Sequence, residues 1–369
     1  MAPLRYNLLV ENWSEQKASY VEDQFVLFNR IWLTTSRPEV LDLVKKYPEH
    51  DVELYMSAEP TEVLAECVSI TKIVFRDVNF QHVARLAASL VALPRLRTLC
   101  FYECDFDQRL LLERFKEMRS LHRVSWLHTH LNIHHLCECL PGTTIRALEF
   151  RTSSMSDMSK QMLASTMASL GVTDLTLHDN DFCPTAYLDV MSKIHHVSYT
   201  TDQDDMSTLQ VLADNPRLQK LQAFRRSRGI PEEKLRYLAK IVQRVRVLRY
   251  YPAVRYSTAQ MEAFAESLHE SRTIQVIALN LDAFTMDHAR ILINGIGVHR
   301  TLKKIVITAR GNGQTCTWFR KQIRHLLSDT MRVLTLLLGC MTIPRIGHGS
   351  CVTELYPDFI RLLKPMMML

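Results

Sequence analysis

Glycine is scarce in this chain. Ten glycines in 369 residues leave little material for phosphate-cradling loops, and neither G-x-G-x-x-G nor G-x-x-x-x-G-K-[ST] occurs. Nucleotide enzymes of the common kinds are disfavoured on that ground. HExxH, G-x-S-x-G, a kinase signature and paired CxxC knuckles are also missing, so the chain reads as non-enzymatic, with no cofactor, no metal and no small-molecule substrate. Long hydrophobic runs are missing as well. The longest, Val333 to Met341, is about half of what a bilayer-spanning helix needs. The stretch from Met1 to Asn12 holds a single arginine and meets acidic residues at Glu11 and Glu15, unlike a secretory h-region or an arginine-rich transit peptide.

Nine cysteines form an odd number without framework spacing, which predicts reduced thiols inside a cell. The expected location is intracellular and cytoplasmic, with a mitochondrial one as the alternative. Composition fits a soluble globular chain: 47% hydrophobic, 23% charged and 8% aromatic. Charge is divided unevenly. Residues 1–69 carry 6 Lys/Arg against 12 Asp/Glu, whereas the remainder carries 39 against 27, so an acidic head precedes a basic body.

An internal repeat governs the body. Apolar residues at positions 0, 3 and 5 begin at Ile70, Leu96, Leu121, Ile145, Val172, Ile194, Leu218, Val245, Ile274, Leu302 and Met331, about 26 residues apart. Each segment, such as ITKIVF, LRTLCF or VRVLRY, alternates as a strand does. Between them the period changes to that of an amphipathic helix, as in HVARLAASLVAL and STAQMEAFAESLHES. One strand followed by one helix is therefore the unit.

On these segments and this spacing, residues 70–341 resemble the leucine-rich repeat family in its ribonuclease-inhibitor-like subclass. The resemblance implies an α/β fold: a curved right-handed β-α solenoid of about eleven repeats, bounded by an acidic N-terminal cap or accessory module at 1–69 and a C-terminal cap at 342–369. The family places Asn or Cys at the ninth repeat position, where the side chain bonds neighbouring turns. That position holds Cys104, Thr129, Ser153, Asn180, Asp202 and Asp282 here, but Val78, Arg226, Ala253, Arg310 and Gly339 elsewhere. A later apolar position is kept as Phe80, Phe106, Leu131, Met155, Phe182 and Phe284.

Strand alternation then puts repeat positions 3, 5 and 7 on the concave face. They include Lys72, Arg76, Tyr102, Arg123, Glu149, Arg151, Asp174, His178, His196, Lys220, Phe224, Arg249, Tyr251 and Lys304, of which seven are basic and two acidic. A basic face with interspersed aromatics suits an acidic partner, and Arg123, Arg151, Lys220, Phe224, Arg249 and Tyr251 are the expected partner-binding residues.

The densest charge lies at 217–256, with twelve Lys/Arg against Glu232 and Glu233. Arg225, Arg226, Arg228, Arg246 and Arg255, with nearby tyrosines, are candidates for RNA contact, because guanidinium groups grip phosphate and aromatic faces stack on bases. On the plainer reading, Lys234, Arg236, Lys240 and Arg244 only solvate a helix. A cluster of His122, His128, His130, His134, His135, Cys137 and Cys139 matches no zinc framework and reads as turn and helix residues. The functional expectation is a protein-protein interaction scaffold. The alternative is an RNA-contacting subunit of a large ribonucleoprotein, such as an organellar ribosome. An F-box-type adaptor lacks its Leu-Pro start, and a repeat-built GTPase-activating protein lacks its acidic tail; neither reading implies a membrane partner.

Overall fold

A computed structural model describes residues 7–10, 30–35, 40–46, 48–151, 156–178, 184–201, 206–225, 234–254, 256–281, 284–297, 301–302, 304–309, 315, 317–319, 321–322 and 335–340. The expected C-terminal cap at 342–369 lies outside them. The chain is α/β, with parallel strands alternating with helices, and it divides into two compact units, Met1–Asp181 and Phe182–Leu369. No described helix is long and apolar enough to cross a membrane.

In the first unit the strands are β1 (Asn7–Val10), β2 (Arg30–Thr35), β3 (Asp51–Met56), β4 (Ile70–Arg76), β5 (Thr98–Tyr102), β6 (Arg123–Leu127), β7 (Ala147–Arg151) and β8 (Asp174–His178). They pair in chain order, each pair parallel. Parallel neighbours need a long return, and here helices supply it: α1 (Val40–Lys45), α2 (Val83–Val91), α3 (Arg109–Glu113), α4 (Ile133–Cys139) and α5 (Asp157–Leu170). The second unit holds α6 (Leu188–Met191), β9 (His196–Thr201), α7 (Met206–Asp214), β10 (Lys220–Arg225), α8 (Lys234–Val242), β11 (Val247–Val254) and α9 (Thr258–Glu270). It continues with β12 (Val276–Leu281), α10 (Met286–Gly297), β13 (Lys304–Ala309) and β14 (Thr335–Cys340). β9 to β14 also pair in order and in parallel.

The repeat search finds these strands. From Leu96 to Leu302, each of nine starts precedes its strand by two residues. Two differences have physical causes. Lys304 pairs with Thr335, which makes Val333 rather than Met331 the equivalent start; the run VLTLLLG satisfies the same apolar spacing in both registers. And β1 to β3 extend the parallel pairing through the expected boundary at residue 70. The search passes over β3 because Asp51 stands where it requires an apolar residue, before a register shift between Val52 and Glu53.

Helix ends are set locally. Ser257 Oγ accepts from the Gln260 amide at 3.3 Å while Gln260 Oε1 accepts from the Ser257 amide at 2.8 Å, a reciprocal cap that starts α9. Ser156 caps α5, and Gly171, at φ 66°, ends it in the left-handed conformation.

Between β4 and β6 the chain turns by a repeated device. Asp77, Glu103 and His128, with φ of 55°, 53° and 54°, follow three successive strands. Each donates its backbone N–H to the last carbonyl of the next strand: Tyr102 at 2.9 Å, Leu127 at 2.9 Å and Arg151 at 2.7 Å. The left-handed conformation costs a non-glycine residue roughly 1–2 kcal/mol, and a hydrogen bond at every turn offsets part of it. Beneath the turns, Cys104 Sγ lies 3.5 Å from the Phe75 carbonyl, and Thr129 Oγ1 lies 3.3 Å from the Phe101 carbonyl and accepts from the Cys104 amide at 3.3 Å. These ninth-position side chains thus link three consecutive repeats.

The core lies on one face of each strand. Phe75, Phe101, Trp126 and Phe150 are fully buried; Phe75 and Phe101 stack at 5.7 Å, Trp126 and Phe150 at 5.5 Å. Each such ring contributes about 1.5–3 kcal/mol on burial. Phe80 and Phe106, from the later apolar position, close the rings at 5.0 Å.

Candidate partner-binding face

With Ile73, Leu99, Val124 and Leu148 pointing into the core, the intervening strand residues form an open face. In the first unit the register lines them up in rows across the strands. Glu53, Lys72, Thr98, Arg123, Ala147 and Asp174 make one row; Tyr55, Val74, Cys100, Ser125, Glu149 and Thr176 make the next.

Those rows neutralise themselves. Lys72 Nζ donates to Tyr55 Oη at 2.8 Å and to Glu53 Oε2 at 3.3 Å. Burial opposes charge on Lys72, but these partners prevail and raise its pKa. Arg123 reaches over Ala147 to Asp174 at 3.5 Å, and Ser125 donates to Glu149 at 2.9 Å. Arg76 lies over the Tyr102 ring at 5.1 Å. Half-exposed pairs of this kind contribute at most about 1 kcal/mol, and they give Lys72 and Arg123 acidic partners within the face. Cys100, inside this network, is 8% exposed, and burial pushes its thiol up to about 12.

The second unit differs. Its rows read His196, Lys220, Val247, Val276, Lys304 and then Ser198, Gln222, Arg249, Ala278, Val306. No Asp or Glu occupies an outward position of the described residues of β9 to β13. Phe224 and Tyr251 stack at 5.0 Å with 15° between their planes, and Asn280 Nδ2 donates to the Tyr251 carbonyl at 2.9 Å. Arg249 is half-buried beside them, without an ion pair to any described residue.

The expected site residues therefore separate. Lys220, Phe224, Arg249 and Tyr251 come together on β10 and β11. Arg123 lies 3.5 Å from Asp174, across Ala147 in the same row; Arg151 is half-buried at the end of β7, with its carbonyl taken by His128. Among the RNA candidates, Arg246 is exposed at the entry to β11, about 16 Å along the strand from Tyr251. Arg226, Arg228 and Arg255 lie outside the described residues, as does the Arg225 side chain.

On α8 and just after it, Arg236, Lys240 and Arg244 are exposed, as a solvated helix requires, and Lys234 alone departs from that reading. Lys234 is 1% exposed and lies 6.0 Å from the Tyr250 ring centre. Arg244 donates to the Ala213 carbonyl at 2.9 Å, while Lys240 lies 4.0 Å from Asp214 and Arg236 lies over Tyr237.

In the histidine and cysteine cluster, Cys137 and Cys139 are buried and their thiols are pushed up by desolvation; Cys139 Sγ lies 3.6 Å from His135 Nε2. No group of three or more His, Cys, Asp or Glu is arranged to hold a metal among the described residues. A cavity of about 370 Å3 beside Phe106, Gln108, His130 and His135 also has Arg109 in its lining, paired with Glu113 at 3.1 Å.

Sequence reasoning missed two features of these faces. Glu53 and Tyr55 were hidden because β3 was not recognised as a strand of the same array. The outward valines were hidden by a search that asked only for inward ones, although the runs VIAL at 276–279 and IVI at 305–307 carry that signal. No protein-family model matches the chain, and no curated protein matches it.

Proposed function

We propose that the chain is a leucine-rich repeat solenoid of right-handed β-α units that acts as a non-enzymatic interaction scaffold for a protein with an acidic surface. The repeat spacing, the left-handed turns and the Cys104–Thr129 ladder support the family reading. Among the described residues, five buried cysteines carry free thiols, which supports an intracellular location. The single observation that carries the functional reading is Arg249, without an ion pair among the described residues, next to the Phe224–Tyr251 stack on strands whose described outward positions hold no acid. A preformed sheet face loses little conformational entropy on binding.

The stacked rings also favour a second reading, contact with unpaired RNA bases in a ribonucleoprotein. Sedimentation of the native complex from lysate separates the two. On the scaffold reading the complex survives ribonuclease and is lost in the Lys220→Glu, Arg249→Glu double variant. A complex that collapses with ribonuclease supports RNA; one that survives both treatments contradicts the use of this face.

A further inference from the structure

A solvated sheet face alternates polar outward with apolar inward, and strands covered on both sides read as continuous apolar runs. The first unit follows the first pattern, with Lys72, Arg123, Ser125, Glu149 and Asp174 outward. Strands β11 to β13 of the second unit depart from it. Val247, Val276, Ala278 and Val306 take outward positions on three adjacent strands, and Leu337 occupies the register position opposite Val306. This apolar floor adjoins Arg249 and the Phe224–Tyr251 stack. Resting on the scaffold reading above, we infer that the face seats an acidic and apolar segment of a partner protein, with a carboxylate on Arg249 and aliphatic side chains on the valines.

Charge and spacing specify that occupant. The described outward positions of β9 to β13 offer no acid to a cation, and the valines beside Arg249 offer nothing to a phosphate but an apolar seat to an aliphatic side chain. Neighbouring strands lie about 4.8 Å apart. Val276 and Val306 therefore sit about 5–10 Å from Arg249 across the sheet. A partner matches this with a carboxylate and an aliphatic side chain on one side, two residues apart when extended or one turn apart when helical. The carboxylate gains a bidentate partner, and covering the valines removes apolar surface from water.

The test uses the full chain and fluorescence anisotropy with short fluorescein-labelled probes: a peptide alternating aspartate with leucine, one alternating lysine with leucine, one alternating aspartate with serine, and oligouridylate. The expected result is saturable binding of the aspartate-leucine peptide, with the other peptides at least about tenfold weaker. Arg249→Glu and Val276→Asp should each lose about tenfold or more. Val276→Thr, nearly isosteric, serves if the aspartate variant does not fold, and should weaken binding several-fold. Equal binding of the lysine peptide, tighter and steeply salt-dependent binding of oligouridylate, no binding of the aspartate-leucine peptide, or indifference to the variants would overturn the inference. If that happens while the native complex still depends on Lys220 and Arg249, only the assigned partner chemistry fails; if the native complex is also indifferent, the scaffold reading fails with it.

Discussion

Replacing Gly295 by alanine tests how tightly the repeats abut. A Cβ there would lie 2.5 Å from the Ala265 carbonyl oxygen and 3.0 Å from two further backbone atoms of Ala265. Ordinary contact begins near 3.4 Å, so α9 and α10 would have to part by about 0.9 Å. The neighbours are fixed: Phe264 and Leu268 are fully buried in α9, and Leu292 is 1% exposed in α10. Alanine gains up to about 1 kcal/mol in helix propensity, while overpacking a close interface costs about 1–3 kcal/mol. The expected balance is a net destabilisation of up to about 2 kcal/mol, read as a lower urea midpoint by circular dichroism. Gly171 is the contrast: its left-handed φ of 66° is exacting, but nothing lies within 4 Å. Asparagine should be tolerated at 171 and not at 295. A Gly295→Ala chain as stable as the parent, or more so, would refute the close approach.

Three further outcomes follow from buried polar groups. Cys67 and Cys100, both pushed up to about 12 by burial, should resist a thiol reagent at pH 8 in the folded chain and react on unfolding, as mass spectrometry would show. Thr129→Val should cost about 1–2 kcal/mol in urea unfolding, because it leaves the Cys104 amide without its acceptor; Thr129→Cys should cost less. His288 accepts from the Thr285 amide at 3.4 Å, and burial lowers its pKa from 6.5 against a smaller opposing effect of Asp287. The unfolded chain thus takes up this proton first, so stability present above about pH 6.5 is lost as pH falls through the folded pKa. His288→Gln should flatten that slope in urea midpoints between pH 7.5 and 5.5, and an unchanged slope would contradict it.

Much of the fold is legible in the sequence, because a strand-helix unit writes its apolar spacing locally: nine starts each fall two residues before a strand. The same rule blurs where local pattern is ambiguous, as in VLTLLLG, or broken by a charge, as at Asp51. The face is less legible. Counting cations along strands predicts one basic surface, but whether a charge is free depends on its neighbours across the sheet. Arg123 meets Asp174, fifty-one residues away, because the small Ala147 stands between them; Arg249 has Gln222 and Ala278 beside it in its row and no acid. Register, which no short window contains, separates the two.

Hydroxyl-radical footprinting of the native complex tests the central claim most directly, since aromatic side chains report their own exposure. The account predicts protection of Phe224 and Tyr251 on partner binding, with Tyr102 on the first unit unchanged. Protection of Tyr102 with Phe224 and Tyr251 left reactive would contradict it.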